Sequence, residues 1–496
     1  MITIPTGVCA ALFSSKAMRE EIGMAVTSFD FLIFFPVVVL AYYVVPRRFR
    51  LSWLLVASCY FYMSWNVKYG FVLLAVTGAA YLGALGLVWI DRSPLEERTK
   101  VRLKKGCIGG FAVLLFGAVF CCKYFVFVVG ISFYALQAFG YLMDVYRKEA
   151  KAERNFLRYA LFMAFFPIVA SGPIERSSTL LSQLGQEERT AFRAENVKRG
   201  LCIMLWGYFL KLVIAERIAI FVDAVYGQAL GGVYAIVAML LYGIQLYCDF
   251  AGYSALALGM GRTLGFSLTE NFDAPFLATT VSGLWRRWHR SLTGWLRDYV
   301  YIPLGGSRKG KIRKYRNIMI VFLVSGIWHG IGIKYLIWGG LNGFYQIAGE
   351  VLMPVRKKIA GALRLERMGA VYRGLQTAVT VILFDFSFVF FRAESTRKAL
   401  GVLKGMTAEF RLSVLWDGSL FSCGIGQAEF CFLLLAILVV VAVDLLHSRR
   451  KYVLDSMKGW HWAVSTCLCA CMMMAVIIFG VYGVNYDVGS FIYFAF

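Results

Sequence analysis

Apolar residues fall in long runs separated by short basic stretches. The runs are Phe29–Val45, Leu51–Trp65, Tyr69–Ile90, Cys107–Val129, Ile131–Val145, Phe156–Val169, Gly200–Ile214, Val233–Asp249, Ile318–Ala348, Leu375–Phe391, Phe430–Leu446 and Trp462–Val484. A helix that spans a bilayer needs about 20 apolar residues, somewhat fewer inside a bundle. The pattern therefore predicts an all-α integral membrane protein with about 11–12 transmembrane or re-entrant helices. Several runs are short, so protein rather than lipid must cover the irregular backbone at their ends. No constant-period repeat and no low-complexity linker divides the chain, and residues 24–496 read as a single membrane-embedded domain. Residues 1–23 read as an N-terminal extension. Ile4 to Phe13 is apolar for only about ten residues before Lys16, Arg19, Glu20 and Glu21, which is not a secretion signal. Met24 opens the coherent part and is a candidate start.

One region breaks the pattern. Between Met260 and Tyr315 there is no long apolar run, but many polar, aromatic and basic residues. Within it, Trp285, Trp288, His289, Leu292, Trp295, Leu296 and Tyr299 recur at spacings of three and four, which predicts one amphipathic helix over Val281–Tyr299. Arg286, Arg287, Arg290 and Arg297 lie mainly elsewhere around its axis. Such a helix would lie in the membrane interface or cap a cavity, with Trp at headgroup level. Pro303, Gly305, Gly306 and Gly310 follow with Arg308, Lys309 and Lys311, a flexible basic turn.

Composition sharpens the class. Of 496 residues, 59% are hydrophobic and 16% charged, whereas a soluble domain is nearer half and a quarter. The 48 glycines suit closely packed membrane helices. Net charge is +23, from 52 Lys+Arg against 29 Asp+Glu, which on a soluble protein would suggest nucleic acid. Here the bases sit in loops, such as Lys100 to Lys105, Arg147 to Arg154 and Val355 to Arg367. That arrangement sets orientation beside anionic membrane lipid, with the basic loops cytoplasmic, and no nucleic-acid partner is expected. The twelve cysteines lie mostly inside apolar runs. Cys467, Cys469 and Cys471 are two apart on a helix and cannot converge on one metal, so neither a disulfide framework nor a metal site is expected.

Chemistry narrows to four histidines. His447 and His461 stand at the ends of apolar runs beside Arg or Trp, where interfacial side chains are expected. His329 lies inside Ile318–Ala348, thirteen residues beyond Arg316, which places it about 20 Å into the membrane. An ionisable group at that depth is costly and is a functional candidate by default. Gly326, Gly330 and Gly332 around it would let a backbone or ligand come close. His289 sits on the apolar edge of the arginine-rich helix. Two histidines without other metal ligands point to acid–base chemistry, a contribution of about 10²–10⁴ in rate. A Gly-x-Ser-x-Gly elbow, a Walker loop and His-Glu-x-x-His are all absent from the sequence. Asp249 and Asp385 could mark an ion path in a transporter, or, with Arg392 two turns from Asp385 on the same face, serve a structural role.

Trp285-Arg286-Arg287-Trp288-His289-Arg290-Ser291-Leu292, continuing through Trp295-Leu296-Arg297-Asp298-Tyr299 to Ile302-Pro303-Leu304-Gly305-Gly306, resembles the signature loop of bacterial membrane-bound O-acyltransferases. Trp328-His329-Gly330 resembles the second histidine of that family. Gly130-Ile131-Ser132-Phe133-Tyr134, Asp144 to Arg147, Gly172-Pro173-Ile174, Tyr247 to Ser254, Asn271-Phe272, Phe390 to Ala393 and Phe491-Ile492-Tyr493 extend the likeness over residues 24–496, in the alginate O-acetyltransferase-like branch. Ala255, Asp273 and Arg290 depart from the usual pattern.

The resemblance implies a helical bundle with a buried tunnel. It implies transfer of an acyl group, acetyl in this branch, from a cytoplasmic thioester donor (acetyl-CoA or an acyl carrier) to a hydroxyl outside. The acceptor would be a cell-envelope or exported polysaccharide, reached directly or through a secreted or membrane-anchored partner transferase, at the bacterial cytoplasmic membrane. No bound cofactor is implied. His329 would be the general base and His289 its partner, holding the acyl carrier or the oxyanion, although the sequence leaves the division of roles open. Trp285, Trp288, Trp295 and Trp328 would line the tunnel, and Arg308 and Lys309 would attract donor phosphates or anchor the membrane. D-alanyl transfer to teichoic acid and a proton-coupled transporter or flippase are the alternatives.

Overall fold

The computed structural model describes residues 23–125, 128–330, 332–408, 410–449 and 462–482, and every regular element among them is helical. The N-terminal extension (but for Gly23), His461 and the Phe491-Ile492-Tyr493 match lie outside the described residues. The described residues fall into two compact units. One runs to Gly200 and includes Met260–Leu268; the other comprises Leu201–Gly259 and the residues from Thr269 on.

The first unit holds α1 (Phe29–Val44), α2 (Arg50–Met63), α3 (Val67–Arg92), α4 (Glu97–Tyr124), α5 (Ile131–Tyr146) and α6 (Phe156–Ala164). Side-chain caps start three of them. Ser28, Asn66 and Asn155 accept the backbone N–H groups of Phe31, Lys68 and Arg158, donors that a helix start leaves without partners. The run expected over Phe156–Val169 is two pieces, because the chain extends at Phe165 before a short turn, Phe166–Val169, that begins with Pro167 near its start. The Phe166 ring packs on Phe34 and Phe61 at 5.7 and 6.0 Å. Gly130, at φ 73°, is a position only glycine tolerates, since a Cβ there would lie 2.2 Å from the carbonyl oxygen of Val169.

The second unit takes up α7 (Ala194–Tyr208) from Leu201 and contains α8 (Glu216–Gly227), α9 (Gly232–Thr263) as far as Gly259, α10 (Val281–Trp285) and α11 (Arg290–Leu296). It continues with α12 (Lys311–His329), α13 (Ile333–Val351), α14 (Met353–Ala362), α15 (Ala370–Arg392), α16 (Thr396–Gly405), α17 (Gln427–Ser448) and α18 (Trp462–Phe479). α7 and α9 cross at backbone contact. A Cβ on Gly207 would sit 2.7 Å from the Gly252 carbonyl oxygen, and one on Gly252 would sit 2.8 Å from that of Gly207. Just past this crossing the buried Lys211 ammonium bridges Glu216 and Asp249, 2.6 Å from the latter's Oδ1. Asp249 is thus one of three members of a buried ion cluster, the arrangement in which charge is retained away from water.

Among the described residues, five helices are long and apolar enough to cross a membrane: α3, the Glu97–Lys123 stretch of α4, α9, α15 and α17. α1 and the Thr466–Phe479 part of α18 are shorter apolar helices. The largest departure from the expected runs is Ile318–Ala348. It is not one helix but the antiparallel pair α12 and α13, which turns at Gly330–Gly332. Glycines bring the two together. A Cβ on Gly326 would lie 2.4 Å from the Tyr335 carbonyl oxygen, and one on Gly339 would lie 2.4 Å from that of Phe322. An apolar run reads alike whether the chain goes straight or doubles back. The glycines decide it here.

Candidate active site

His329 is the last residue of α12, and the turn closes with the Gly330 N–H donating to the Gly326 carbonyl at 3.1 Å. Thirteen residues of regular helix separate it from Arg316, as the sequence implied. Its imidazole is buried at the tip of the α12–α13 pair, edge-on to Trp338 at 5.0 Å and Phe391 at 5.3 Å. Gly330 has no room for a side chain, because a Cβ would meet the Tyr335 ring at 2.3 Å. His329 thus stands at the C-terminal pole of a 19-residue helix.

The continuous helix expected over Val281–Tyr299 is broken. α10 ends at Trp285, a turn follows, and α11 begins at Arg290, continuing into a wider turn at Arg297–Tyr301. His289 makes the break: its backbone sits at φ 43° and ψ 55°, the left-handed region, which a helix cannot pass through. The expected apolar face survives. Trp285, Trp288, His289, Leu292, Trp295, Leu296 and Tyr299 are all buried, while Arg286, Arg290 and Arg297 are exposed. The indoles are therefore packed inside the unit rather than exposed on its surface.

Aromatic rings join the two histidines. Trp328 contacts both imidazoles, His289 at 6.1 Å and His329 at 4.8 Å between ring centroids. Phe250 of α9 stands edge-on to His289 at 4.6 Å. Trp288 packs among Phe272, Phe384 and Tyr247. Trp285 reaches Trp338 at 5.6 Å, and thereby the wall of His329. Its indole N–H donates to Asn342 Oδ1 at 3.0 Å, while Asn342 Nδ2 donates to the Trp338 carbonyl at 2.9 Å and to Ser387 Oγ at 3.0 Å. Asn342 is wholly buried, so one amide ties the Trp285 indole to α13 and to Ser387 of α15. Burial pushes the His289 imidazole down to about 3, so it is neutral over the physiological range.

Other candidates separate from this group. Trp295 is buried and packs on Tyr299 at 5.0 Å. Arg308 and Lys309 project from the exposed turn before α12, outside the buried group. Arg392 does not pair with Asp385; its guanidinium binds Asp223, and the Asp385 carboxyl lies buried against Gly243, without a hydrogen-bond partner among the described residues. His447, expected at the interface, stands 3.8 Å from Asp273, with Asp444 one turn earlier accepting from the Tyr247 hydroxyl at 3.0 Å.

The model of the membrane-bound O-acyltransferase family matches residues 146–373. The chain is 32% identical to a probable alginate O-acetylase AlgI of Pseudomonas fluorescens over 74% of its own length and 72% of the relative's. It is 29% identical to a peptidoglycan O-acetyltransferase of Helicobacter pylori over 93% and 95% of the two chains. A teichoic acid D-alanyltransferase of Bacillus subtilis matches at 29%, over 42% of this chain and 56% of that one. The matched residues contain the broken helix, the α12–α13 pair and both buried histidines. The chain belongs to the membrane-bound O-acyltransferase family, and it is an O-acyltransferase.

Proposed function

We propose that the protein moves an acetyl group from a cytoplasmic thioester, acetyl-CoA or an acyl carrier, to a hydroxyl of a cell-envelope or exported polysaccharide. The relatives that match most of the chain are named for acetylating alginate or peptidoglycan, while the D-alanyl transferase match covers less than half of it. The observation that carries the reading is the pair of buried imidazoles at one indole, one at the C-terminal pole of a long helix and the other held neutral by burial.

We assign the roles from those environments. His329 takes the acceptor hydroxyl proton as the oxygen attacks the thioester carbonyl carbon, and the α12 terminus stabilises the resulting imidazolium. His289, neutral, donates a hydrogen bond to the oxyanion of the tetrahedral intermediate. When that intermediate collapses, the C–S bond breaks and the departing thiolate takes the proton from His329. No proton is gained or lost overall. Trp285, Trp288 and Trp328 keep water from the thioester. Arg308 and Lys309, exposed near the start of α12, meet donor phosphates or anionic lipid at the cytoplasmic membrane face. Final delivery to the polymer would fall to an extracytoplasmic partner transferase.

The test is acyl release from a labelled acetyl thioester, together with acetylation of envelope polymer, in membranes carrying His329→Ala at normal abundance. We expect both to be lost. Full activity in that variant would sink the mechanism. His289→Ala should cost about 10²–10³ in kcat, the effect of removing one oxyanion donor.

A further inference from the structure

We infer that Asn271 is the positioning residue for His289: it caps α11 from another segment, so that the residue at the helix start keeps its imidazole for the reaction. This rests on the reading of His289 as a reacting group. The first residue before a helix ordinarily turns its own side chain onto the open N–H groups of the first turn, which is why Ser, Thr, Asp and Asn dominate there. His289 occupies that place in α11 and makes no such bond. The duty passes to Asn271. Its backbone carbonyl accepts from the Arg290 N–H at 2.9 Å, and its Oδ1 accepts from the Ser291 N–H at 3.2 Å.

The amide is itself oriented. Asn271 Nδ2 donates to Ser254 Oγ at 3.2 Å, which assigns Oδ1 to the Ser291 side. Both Asn271 and Ser254 are buried. Ser254 is four residues beyond Phe250 on α9, so one helix face supplies both the hydroxyl that sets Asn271 and the ring packed on the His289 imidazole. On the other side of the break, the Asp273 N–H donates to the Arg287 carbonyl at 3.0 Å. Residues 271–273 therefore bind the chain on both flanks of His289. A left-handed non-glycine backbone persists only where its surroundings over-determine it, and these bonds do so.

The experiment uses the full-length chain in membranes and compares Asn271→Leu, Asn271→Asp and Ser254→Ala, each with His289 intact and in a His289→Ala background. Asn271→Leu should lower kcat about 100-fold, the loss expected from misplacing a reacting group by about 1 Å, with KM for the donor little changed. Asn271→Asp should recover most of that loss, because a carboxylate still accepts from the Ser291 N–H at a helix start. With His289 already replaced by Ala, Asn271→Leu should cost nothing further. Equal losses in the two backgrounds, or an Asn271→Asp variant as inactive as Asn271→Leu, would overturn the assignment. Carbethoxylation of His289 by diethyl pyrocarbonate, read by mass spectrometry, follows the imidazole without reference to activity. Asn271→Leu should make it several-fold faster, and an unchanged rate counts against the inference even if His289 proves unnecessary for transfer. Ser254→Ala removes only the hydroxyl that orients the amide, and should show the same coupling at smaller size if Asn271→Leu fails to accumulate.

Discussion

The two histidine-bearing segments of the second unit reach the same indole by opposite means. His329 ends 19 residues of regular helix, and what places it is the rest of α12 and the glycine contacts with α13. His289 interrupts its helix in a left-handed conformation and is held by hydrogen bonds from a segment sixteen to eighteen residues earlier in the chain. One side chain is positioned by continuity, the other by a break. A base must present a lone pair at a fixed depth, which a helix end does well. A neutral donor aimed at an oxyanion needs an orientation that regular helix does not offer, and left-handed backbone supplies one at a local energetic cost of about 1–3 kcal/mol.

The comparison breaks most sharply at the glycines. Gly326→Val or Gly339→Val puts a side chain where a Cβ alone would already lie 2.4 Å from a backbone carbonyl oxygen, so α12 and α13 must separate. We expect a loss of at least about 3 kcal/mol, read as disappearance of the monodisperse peak in detergent. The same change at Gly340, where a Cβ would meet nothing within 4 Å, should be tolerated. If the Gly326 and Gly339 variants accumulate with full activity, helix contact is not what holds His329.

This contrast also accounts for what the sequence made legible. The buried face of residues 281–299 follows from periodicity and is seen, and His329 is buried. Periodicity counts residues per turn, however, and says nothing about φ. The stripe of Trp285, Trp288, Leu292 and Trp295 looks the same across a break, so a break at His289 left no trace in it. The α12–α13 reversal likewise hides inside uniform hydrophobicity, marked only by glycines whose partners lie elsewhere in the chain. Asn271 and Asn342 are legible as buried amides only once their acceptors and donors are known. Arg308 and Lys309 stand out in sequence because charge does, yet they belong to the exposed turn.

Asn342 tests whether the two segments are independent. It is on α13, but its Oδ1 receives the Trp285 indole N–H of α10 and its Nδ2 reaches the Ser387 hydroxyl of α15. Asn342→Leu preserves size and strands the buried indole N–H without a partner, which should cost about 2–3 kcal/mol. If the indoles form a common wall, kcat falls in this variant although neither histidine is touched. Thermal unfolding and transfer rates measured together separate the two effects, and a stable variant with unchanged kcat would mean the histidines are set independently.

The smallest expected effect concerns acid. His289 is buried with its pKa pushed down to about 3, whereas an unfolded histidine titrates near about 6.5. Below about 6.5 the unfolded chain takes up a proton that the folded chain refuses, so this group's contribution to stability is whole above that pH and is lost progressively as pH falls towards about 3. By pH 5 the loss is about 2 kcal/mol. We therefore expect the thermal midpoint in detergent to fall between pH 7.5 and 5 for the wild type, but to fall less for His289→Gln, which cannot titrate. An equal fall in His289→Gln would place the acid-sensitive group elsewhere, and with it the claim that burial, rather than a charged partner, keeps this imidazole neutral.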